Sequence, residues 1–326
     1  MKTVLVTGGA GFIGSNFIRH ILNNYPDYRI INLDKLAYSG NLNNLKDIQQ
    51  SPSYKFIKGD ICDKRTVESA IKRSDLVVNF AAQTHVDRSI KASAEFVRTN
   101  IEGIRVLLDA ARKFKIKRFM QISTDEVYGD IKRGLSDEND ILLPNSPYAA
   151  SKAAADLLVH SYYMTYKIPI IITRSSNNFG PYQYPEKVMP LFITNAVENK
   201  PLPLYGDGKN IRDWIYVLDN CSAIDLALHK GRPGEIYNIG GNNLLRNIRI
   251  ADKIVDFMSR DKKLISFVKD RPGHDRRYAL NSNKMKKLGW DPEYNFKKAL
   301  RSTIEWYMAN EWWWKPLKRK AKIINW

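Results

Sequence analysis

The chain has 326 residues, of which 44% are hydrophobic and 26% charged, as expected for a globular protein with a substantial core. Its net charge of +18 favours anionic partners such as nucleotides, sugar diphosphates or nucleic acid, without choosing among them. No apolar run approaches the length of a membrane span and no signal peptide is evident, so we expect a cytoplasmic protein without a membrane partner. Cys62 and Cys221 lack the spacing of a disulfide framework or a metal site.

Short apolar runs alternate with amphipathic stretches through the first half of the chain. The apolar runs predict six strands, at residues 4–7, 29–34, 55–60, 76–81, 119–124 and 169–173. The stretches between them predict four helices, at residues 12–24, 64–72, 94–114 and 147–167. This alternation is typical of a parallel sheet covered on both faces, so we predict an α/β fold with a doubly wound, Rossmann-type sheet.

After Arg174 the pattern changes to loops rich in Pro, Gly and Asn, separated by shorter elements. Residues 211–230 read as a strand or a helix, and residues 235–239 as a strand that returns to the main sheet. We therefore predict a sheet domain of residues 1–174 that regains residues 211–240. Residues 175–210 and 241–326 would form a smaller, substrate-binding lobe.

A glycine-rich loop follows the first predicted strand and opens the first helix, as a dinucleotide-binding fingerprint requires. Gly8, Gly11 and Gly14 would let backbone amides and the helix N-terminus approach a pyrophosphate. Asp34 ends the second strand, where a carboxylate binds ribose hydroxyls and repels a 2′-phosphate, so NAD is preferred over NADP. This loop and the ends of the following strands predict the cofactor-binding residues Gly8, Gly11, Phe12, Ile13, Gly14, Asp34, Lys35, Asp60, Ile61, Phe80, Ala81 and Ala82.

Two further segments carry the candidate catalytic groups. Tyr148 precedes Lys152 by four residues, and an ammonium group at that spacing is expected to stabilise the phenolate of a basic tyrosine. Asp125 and Glu126 add a second acid/base pair, which a simple alcohol oxidation does not need. The two carboxylates can reach neighbouring atoms of one substrate only if the strand ends there and the backbone turns. These residues predict an oxidation combined with an elimination.

The chain resembles the extended short-chain dehydrogenase/reductase superfamily and, within it, the nucleotide-sugar 4,6-dehydratases, over nearly its whole length. The general motifs are the glycine loop and Tyr148-x-x-x-Lys152. The discriminating motifs are residues 124–126, 174–183, 185–187, 202–208, 212–214 and 270–275. Related 4-epimerases usually carry small residues in place of Asp125 and Glu126.

The resemblance implies a role for each catalytic residue. Tyr148 would take the proton of the sugar C4 hydroxyl as hydride passes to NAD, with Lys152 holding the phenolate and a ribose hydroxyl, and Thr124 holding the C4 oxygen. Glu126 would remove the C5 proton and Asp125 would protonate the departing C6 hydroxyl. Hydride would then return to C6, which regenerates NAD in each turnover. The resemblance also implies a homodimer that pairs residues 94–114 and 147–167 of each copy in a four-helix interface.

The resemblance adds Thr99 and Asn178 to the cofactor contacts and assigns the nucleotide sugar to the second lobe. The substrate-binding residues that it implies are Thr84, His85, Thr124, Asn177, Lys187, Val188, Pro203, Leu204, Tyr205, Arg212, Asn247, Asp270, Arg271 and His274. The chain departs from the pattern at Gln83 and Thr84, where Glu-Ser is common, and at Phe179, where tyrosine is usual. The base-pocket residues favour a thymidine or uridine nucleotide over a guanosine.

Other functions stay open at this point. A nucleotide-sugar 4-epimerase, or a dehydratase that acts on UDP-glucose or GDP-mannose, would share most of these motifs. The net charge and the basic cluster Lys315, Lys318, Arg319, Lys320 and Lys322, beside Trp312–Trp314, would also fit a non-catalytic NAD-binding or RNA-binding protein. Intact catalytic residues argue against that class, and we expect no nucleic-acid partner.

Overall fold

The computed structural model describes residues 2–321, and a seven-stranded parallel sheet forms its centre. The strands of this sheet are β1 (Lys2–Thr7), β2 (Tyr28–Asp34), β3 (Tyr54–Lys58), β4 (Leu76–Asn79), β5 (Arg118–Thr124), β6 (Ile170–Ser175) and β10 (Ile236–Ile239). Their order across the sheet is β10-β6-β5-β4-β1-β2-β3. The strand order reverses beside β1, which creates the crevice at the carboxyl ends of the strands where ligands bind in such folds.

Helices cover both faces of this sheet, as predicted. They are α1 (Phe12–Asn24), α2 (Lys64–Ile71), α3 (Val86–Lys91), α4 (Ala94–Val97), α5 (Gly103–Lys113), α6 (Pro147–Tyr166) and α8 (Val217–Lys230). Successive strand residues point to opposite faces, so Val4 and Val6 pack with α1 and α8, whereas Leu5 packs with α2, α5 and α6. The near-continuous apolar strands are the consequence of this double burial.

We call the remaining strands and α-helices the second lobe. They are β7 (Asn177–Phe179), β8 (Leu202–Tyr205), β9 (Ile211–Tyr216), β11 (Leu244–Arg246), β12 (Ile265–Val268), α7 (Val188–Val197), α9 (Asn247–Phe257), α10 (Asn283–Leu288), α11 (Phe296–Ala309) and α12 (Glu311–Lys320). The strands form a three-stranded sheet, β11-β9-β7, and a two-stranded sheet, β12-β8. Phe192, Ile250 and Tyr307 of this lobe pack in the same core as α1 and α8, so the two lobes share one apolar cluster.

The structure corrects three of the predicted elements. The helix predicted at 94–114 is interrupted by a wider turn at Arg98–Glu102, and the strand predicted at 76–81 ends at Asn79. Residues 211–230 form a strand followed by the helix α8, which packs on the main sheet, and the strand Ile236–Ile239 joins that sheet. Ile211–Tyr216 does not join the main sheet and pairs with β7 and β11. The division into two domains stays a prediction.

The basic C-terminal segment is largely a packed helix. Trp313 and Trp314 are buried, whereas Trp312 is 53% exposed. Lys318 pairs with Glu198 at 2.8 Å, and Lys322 lies outside the described residues. Within residues 2–321, no helix is long and apolar enough to cross a bilayer, and no group of three or more His, Cys, Asp or Glu side chains is placed to hold a metal ion.

Candidate active site

A cavity of about 300 Å³ lies at the carboxyl ends of β1, β2, β4 and β5. Every residue predicted to bind the cofactor lines this cavity, including Thr99 and Asn178. The catalytic candidates Thr124, Asp125, Glu126, Tyr148 and Lys152 line it as well. The structure thus places the predicted cofactor loop and the predicted reaction centre around a single space.

The glycine loop forms the first wall of this cavity. Gly8 has a φ of 69°, and a Cβ atom there would lie 2.6 Å from the Ala81 backbone nitrogen, so a side chain would clash with the backbone. Gly11 is the N-cap of α1 and has no side chain to cap the first turn. The backbone amides at the start of α1 therefore remain available to an anionic group at the positive end of the helix.

Asp34 is held rigidly at the end of β2. Its Oδ2 accepts a hydrogen bond from the Ala10 amide at 2.9 Å, and its Oδ1 accepts one from the Leu36 amide at 2.7 Å. Burial raises its pKa, and these two backbone amides oppose that rise. Lys35 pairs with Asp60 at 2.9 Å, so its ammonium is directed at another carboxylate. The glycine loop, the open helix N-terminus and Asp34 fit the pyrophosphate and ribose of NAD.

Asp125 and Glu126 lie on a single 3-10 turn, Asp125–Tyr128, directly after β5. Thr124 caps this turn, because its Oγ1 accepts a hydrogen bond from the Glu126 amide at 3.3 Å. The same hydroxyl lies 3.2 Å from Asp125 Oδ1, to which it donates. The strand β5 thus ends and the backbone turns at Asp125, which is the condition for both carboxylates to reach one substrate. Both carboxylates line the first cavity.

The surroundings of the two carboxylates separate their proton affinities. Burial and the neighbouring Glu126 raise the pKa of Asp125 well above its usual range. Burial also raises the pKa of Glu126, but the cations Arg271, Arg212 and Lys187 oppose that rise. The pKa of Asp125 is therefore raised further than that of Glu126, so Asp125 holds its proton more strongly and Glu126 ionises more readily. This pairing suits a general acid beside a general base.

Tyr148 and Lys152 lie in the first two turns of α6. Ser146 caps the helix by accepting a hydrogen bond from the Ala149 amide at 3.1 Å. The Tyr148 amide donates to Ser89 Oγ at 3.1 Å, which ties α6 to α3. The helix start thus places the phenol of Tyr148 and the ammonium of Lys152 in the cavity, one turn apart.

The structure differs from the expectation that Lys152 lowers the pKa of Tyr148. Burial and the Glu126 carboxylate raise the pKa of Tyr148 well above 10, and a hydrogen bond with Thr124 opposes this rise. Lys152 Nζ instead donates to the Ile122 carbonyl oxygen at 2.6 Å. Burial lowers the pKa of Lys152 to about 8, while Asp156 acts in the opposite direction.

A buried polar network behind Lys152 was not anticipated from the sequence. Asp156 Oδ2 accepts hydrogen bonds from Ser123 Oγ at 3.0 Å and from Arg174 Nε at 2.9 Å. Arg174 also donates to the Tyr128 hydroxyl at 2.9 Å. The available signal was the position of Asp156, one helical turn after Lys152, which places the two on one face of α6.

A second cavity, of about 370 Å³, lies between the main sheet and the second lobe. It shares Glu126, Asn177, Asn178, Gln183 and Lys187 with the first cavity. The predicted substrate-binding residues that line it are His85, Asn177, Lys187, Val188, Pro203, Leu204, Tyr205, Arg212, Asn247, Arg271 and His274. Thr84 and Thr124 line the first cavity instead. A ligand in the second cavity would therefore reach Glu126 and the catalytic centre.

Cationic groups in this cavity are held by neighbouring polar atoms. Arg271 pairs with Asp87 at 3.0 Å, and Lys187 Nζ donates to the Thr84 carbonyl oxygen at 2.8 Å. The Arg212 guanidinium donates to the Asp275 carbonyl oxygen at 2.8 Å. Within the described chain, the buried Arg271 Nε, Asn177 Oδ1 and Asn247 Oδ1 atoms have no hydrogen-bond partner. Such atoms are costly to bury alone and so favour a polar ligand.

Asp270 lines neither cavity, so the substrate contact expected for it stays a prediction. Its Oδ1 lies 2.6 Å from His274 Nδ1 and also accepts a hydrogen bond from the Arg271 amide at 2.8 Å. It therefore positions two residues of the cavity wall. Burial and the nearby Arg271 lower the pKa of His274 to about 4, so this imidazole is neutral at pH 7 and adds no charge for a phosphate.

Several residues of the site were not assigned a role from the sequence. Asp87 holds Arg271 and accepts a hydrogen bond from the Tyr205 hydroxyl at 2.8 Å. Glu186 pairs with Arg88 at 2.8 Å. Tyr38 and Tyr278 are cavity-lining tyrosines, one in each cavity. In the sequence, predicted site residues lie close to Asp87, Arg88 and Glu186. Their ion pairs, however, join residues more than 90 positions apart, and no local sequence pattern indicates such a contact.

Comparison with known proteins shows the family of the chain. The GDP-mannose 4,6 dehydratase family matches residues 5–303. The low-salt glycan biosynthesis protein Agl12 of Haloferax volcanii is 49% identical, over 94% of this chain and 99% of that protein. The structure of a dTDP-glucose 4,6-dehydratase from Bacillus anthracis, in complex with NAD, is 52% identical, with a TM-score of 0.92 over 97% of this chain and 100% of that one.

The structure of a dTDP-glucose 4,6-dehydratase from Streptomyces venezuelae, with NAD and dTDP bound, is 45% identical, with a TM-score of 0.95. The match covers 97% of this chain and 99% of that chain. Both structures share the seven-stranded architecture described above. The chain belongs to the GDP-mannose 4,6 dehydratase family of nucleotide-sugar dehydratases.

Proposed function

We propose that the chain is an NAD-dependent dTDP-glucose 4,6-dehydratase, a hydro-lyase that forms dTDP-4-keto-6-deoxyglucose and water. The observation that carries the proposal is the pair Asp125 and Glu126, which lies beside Tyr148 at the junction of the two cavities. Two carboxyl groups whose pKa values differ can act at two different carbon atoms of one sugar, one as an acid and the other as a base. The relatives from Bacillus anthracis and Streptomyces venezuelae carry this name.

The chain's own groups account for the proton transfers. Thr124 hydrogen-bonds with Tyr148 and would orient the sugar C4 oxygen toward it. Tyr148 would accept the C4 hydroxyl proton as the phenolate, so the proton of its own hydroxyl must first leave to solvent. Once C4 is a ketone, the C5 proton becomes acidic and Glu126 removes it. Asp125, whose pKa is raised further than that of Glu126, delivers a proton to the C6 oxygen so that water departs, and Glu126 returns a proton to C5 as hydride is added at C6. Arg271, Arg212 and Lys187 keep Glu126 able to ionise between these steps.

NAD is the cofactor of this proposal. When bound, it supplies the acceptor and the donor of a hydride. The glycine loop and the start of α1 would hold its pyrophosphate, and Asp34 its adenosine ribose. Lys152 would hold the nicotinamide ribose, and Asn178, whose Oδ1 is buried without a hydrogen-bond partner in the described chain, would face the nicotinamide side.

The second cavity would bind the nucleotide-sugar substrate. Arg271, Arg212 and Lys187 would neutralise its diphosphate, since guanidinium groups bind phosphate oxygens with two parallel hydrogen bonds. Pro203, Leu204 and Tyr205 would line the base pocket, which favours thymine or uracil over guanine. The dTDP bound to the relative from Streptomyces venezuelae supports thymine.

A homodimer is part of the proposal. Large apolar side chains on the helices predicted to pair are exposed: Val97 is 52% exposed, Leu157 62% and Met164 54%. Large apolar side chains exposed on helix faces favour burial against another copy. A cytoplasmic location also stays a prediction, made from composition.

We expect purified protein to convert dTDP-glucose without added NADH, because the hydride removed at C4 is returned at C6. The product, treated with alkali, should show the absorbance of a 4-keto-6-deoxy sugar enolate. No net reduction of nicotinamide should accompany turnover. UDP-glucose and GDP-mannose serve as the comparison substrates. Stoichiometric NADH release would contradict the dehydratase and favour an ordinary dehydrogenase, and dTDP-galactose as product would favour an epimerase.

We expect Lys152→Met to inactivate the enzyme but to raise its stability at pH 7. The pKa of Lys152 is lowered by burial, so the charged form is disfavoured in the folded state. Below pH 8, Lys152 is charged in both the folded and the unfolded protein, so the full cost of burying its charge lowers the free energy of unfolding. Between pH 8 and about 10.4, the pKa of lysine in the unfolded chain, this cost diminishes. The Ile122 carbonyl would keep a donor, Gln121 Nε2 at 3.2 Å.

The measurement is denaturant unfolding of both proteins from pH 6 to pH 10. The stability gain of Lys152→Met should be about 1 kcal/mol or more near pH 7 and should shrink toward pH 10. The surface substitution Lys132→Met is the control and should give no such pH trend. A variant that is less stable than the parent at pH 7 would show that the ammonium is well accommodated at this position.

A further inference from the structure

Helices α11 and α12 lie at the end of the described chain but pack beside the cofactor cavity. Trp313 is 2% exposed and contacts the short 3-10 helix Leu42–Leu45, which follows β2. Its neighbour Trp312 is 53% exposed, and its indole N–H donates only to Asn310 Oδ1, at 3.2 Å, with Lys46 facing the ring at 5.6 Å. The two tryptophans therefore have different environments on one helix.

A chain of three buried hydrogen bonds connects Trp313 to the cofactor cavity. Trp313 Nε1 donates to Asn44 Oδ1 at 2.8 Å, and Asn44 Nδ2 donates to the Ala10 carbonyl oxygen at 2.8 Å. The Ala10 amide in turn donates to Asp34 Oδ2 at 2.9 Å. Ala10 lies in the glycine loop, between Gly9 and Gly11. The C-terminal helix is thus linked to both the loop and the carboxylate expected to bind the cofactor.

The chemistry of the partners fixes the orientation of the Asn44 amide. An indole N–H can only donate and a backbone carbonyl can only accept, so the amide oxygen must face Trp313 and the amide nitrogen must face Ala10. Asn44 is 1% exposed, so neither amide group has water as an alternative partner. The glycine loop is also held by backbone hydrogen bonds, from the Gly8 amide to the Leu33 carbonyl oxygen at 2.9 Å and from the Asn41 amide to the Ala10 carbonyl oxygen at 3.0 Å. Asn44 adds a side-chain hydrogen bond to the same Ala10 carbonyl and so helps to define the position of the loop.

We propose that Trp313 and Asn44 are positioning residues for NAD, which set the glycine loop and Asp34 in their binding geometry from the C-terminal helix. This inference rests on the proposed function, because it takes NAD as the ligand of the first cavity. It adds a role for the C-terminal helix, whose residues touch neither the cofactor nor the substrate in this proposal.

A second contact of the same helices supports the inference. The Tyr307 hydroxyl donates to the Gln183 carbonyl oxygen, and the Tyr184 hydroxyl donates to the Leu317 carbonyl oxygen at 3.5 Å. Gln183 and Tyr184 also line the cofactor cavity. Helices α11 and α12 therefore hydrogen-bond to a second segment of the cavity lining, besides their link to the glycine loop.

The test compares Trp313→Phe and Asn44→Asp with the control Trp312→Phe. Trp313→Phe removes the donor and leaves Asn44 Oδ1 buried without one. Asn44→Asp keeps the size and the acceptor for Trp313 but sets a carboxylate oxygen against the Ala10 carbonyl oxygen, so it acts without altering the core packing of Trp313. Binding of NAD and, separately, of dTDP is measured by calorimetry on cofactor-free protein, together with the melting temperature.

We expect both test variants to bind NAD roughly tenfold more weakly, as for the loss of a buried hydrogen bond, with dTDP affinity unchanged. Trp312→Phe should bind both ligands as the parent does. Unchanged NAD affinity in Trp313→Phe and Asn44→Asp would overturn the inference. Equal losses of affinity for NAD and for dTDP, together with a lower melting temperature, would indicate a general loss of structure. That result would also overturn the inference. A parent protein that does not bind NAD would instead refute the proposed function.

Discussion

Replacing Tyr148 with phenylalanine should lower the rate of dTDP-glucose conversion by roughly 10² to 10⁴, the range for loss of a general base. The ring would still pack against Phe96, so the fold and the cavity shape should persist. Only the hydroxyl that accepts the C4 proton is lost. The measurement is the initial rate of 4-keto product formation, with NAD and dTDP affinities determined in parallel.

Tyr237→Phe is the matched control for this substitution. Tyr237 is also a buried tyrosine, but its hydroxyl accepts a hydrogen bond from the Arg232 amide at 3.0 Å and it lines neither cavity. This variant should turn over at close to the parental rate. If Tyr148→Phe did the same, the phenol would not be the base, and Glu126 or a water molecule would have to accept the C4 proton.

Asp125→Asn and Glu126→Gln should stop the reaction at different steps, each with a loss of roughly 10² or more in overall rate. Asparagine keeps the shape of the protonated Asp125 side chain and can still donate a hydrogen bond, but it cannot release a proton to the C6 oxygen. Oxidation at C4 should therefore persist while water loss slows. In a single-turnover experiment, the absorbance of reduced nicotinamide should rise and decay slowly.

Glu126→Gln removes the group assigned to the C5 proton. Incorporation of solvent deuterium at C5 should be lost, and mass spectrometry of the sugar measures this directly. Glu138→Gln is the control, because Glu138 is buried, its pKa is also raised by burial, and it lines neither cavity. Dehydration at the parental rate by both test variants would make the two carboxylates structural and would remove the main support for the proposed function.

The separation of roles follows from charges that lie far apart in the sequence. Arg271, Arg212 and Lys187 all oppose the rise in the pKa of Glu126, whereas the pKa of Asp125 is lowered by Arg212 but raised further by Glu126 and Asp213. Adjacent acidic residues have nearly equal pKa values in an unfolded chain. The difference between them is therefore a product of folding.

Much of the cofactor side of the site is determined by local sequence. The apolar strand residues and the glycine loop make a strand, a tight turn and a helix in order, and Asp34 ends the next strand, so Gly8, Gly11 and Asp34 were placed correctly around one cavity. Tyr148 and Lys152 are one helical turn apart in any helix. These features rest on backbone periodicity and on the small size of glycine, which act over a few residues.

Other features were decided only by the tertiary structure. The direction of Lys152 toward the Ile122 carbonyl, the position of Asp270 behind the cavity wall and the link from Trp313 through Asn44 to Ala10 each join distant segments. The sequence left residues 211–230 open as a strand or a helix, and the division into the strand Ile211–Tyr216 and a helix, like the pairing of this strand with β7 and β11, came from the structure. Hydrogen-bond partners and burial depend on which segments the fold brings together, and pKa values follow from that burial, so no local pattern specifies them.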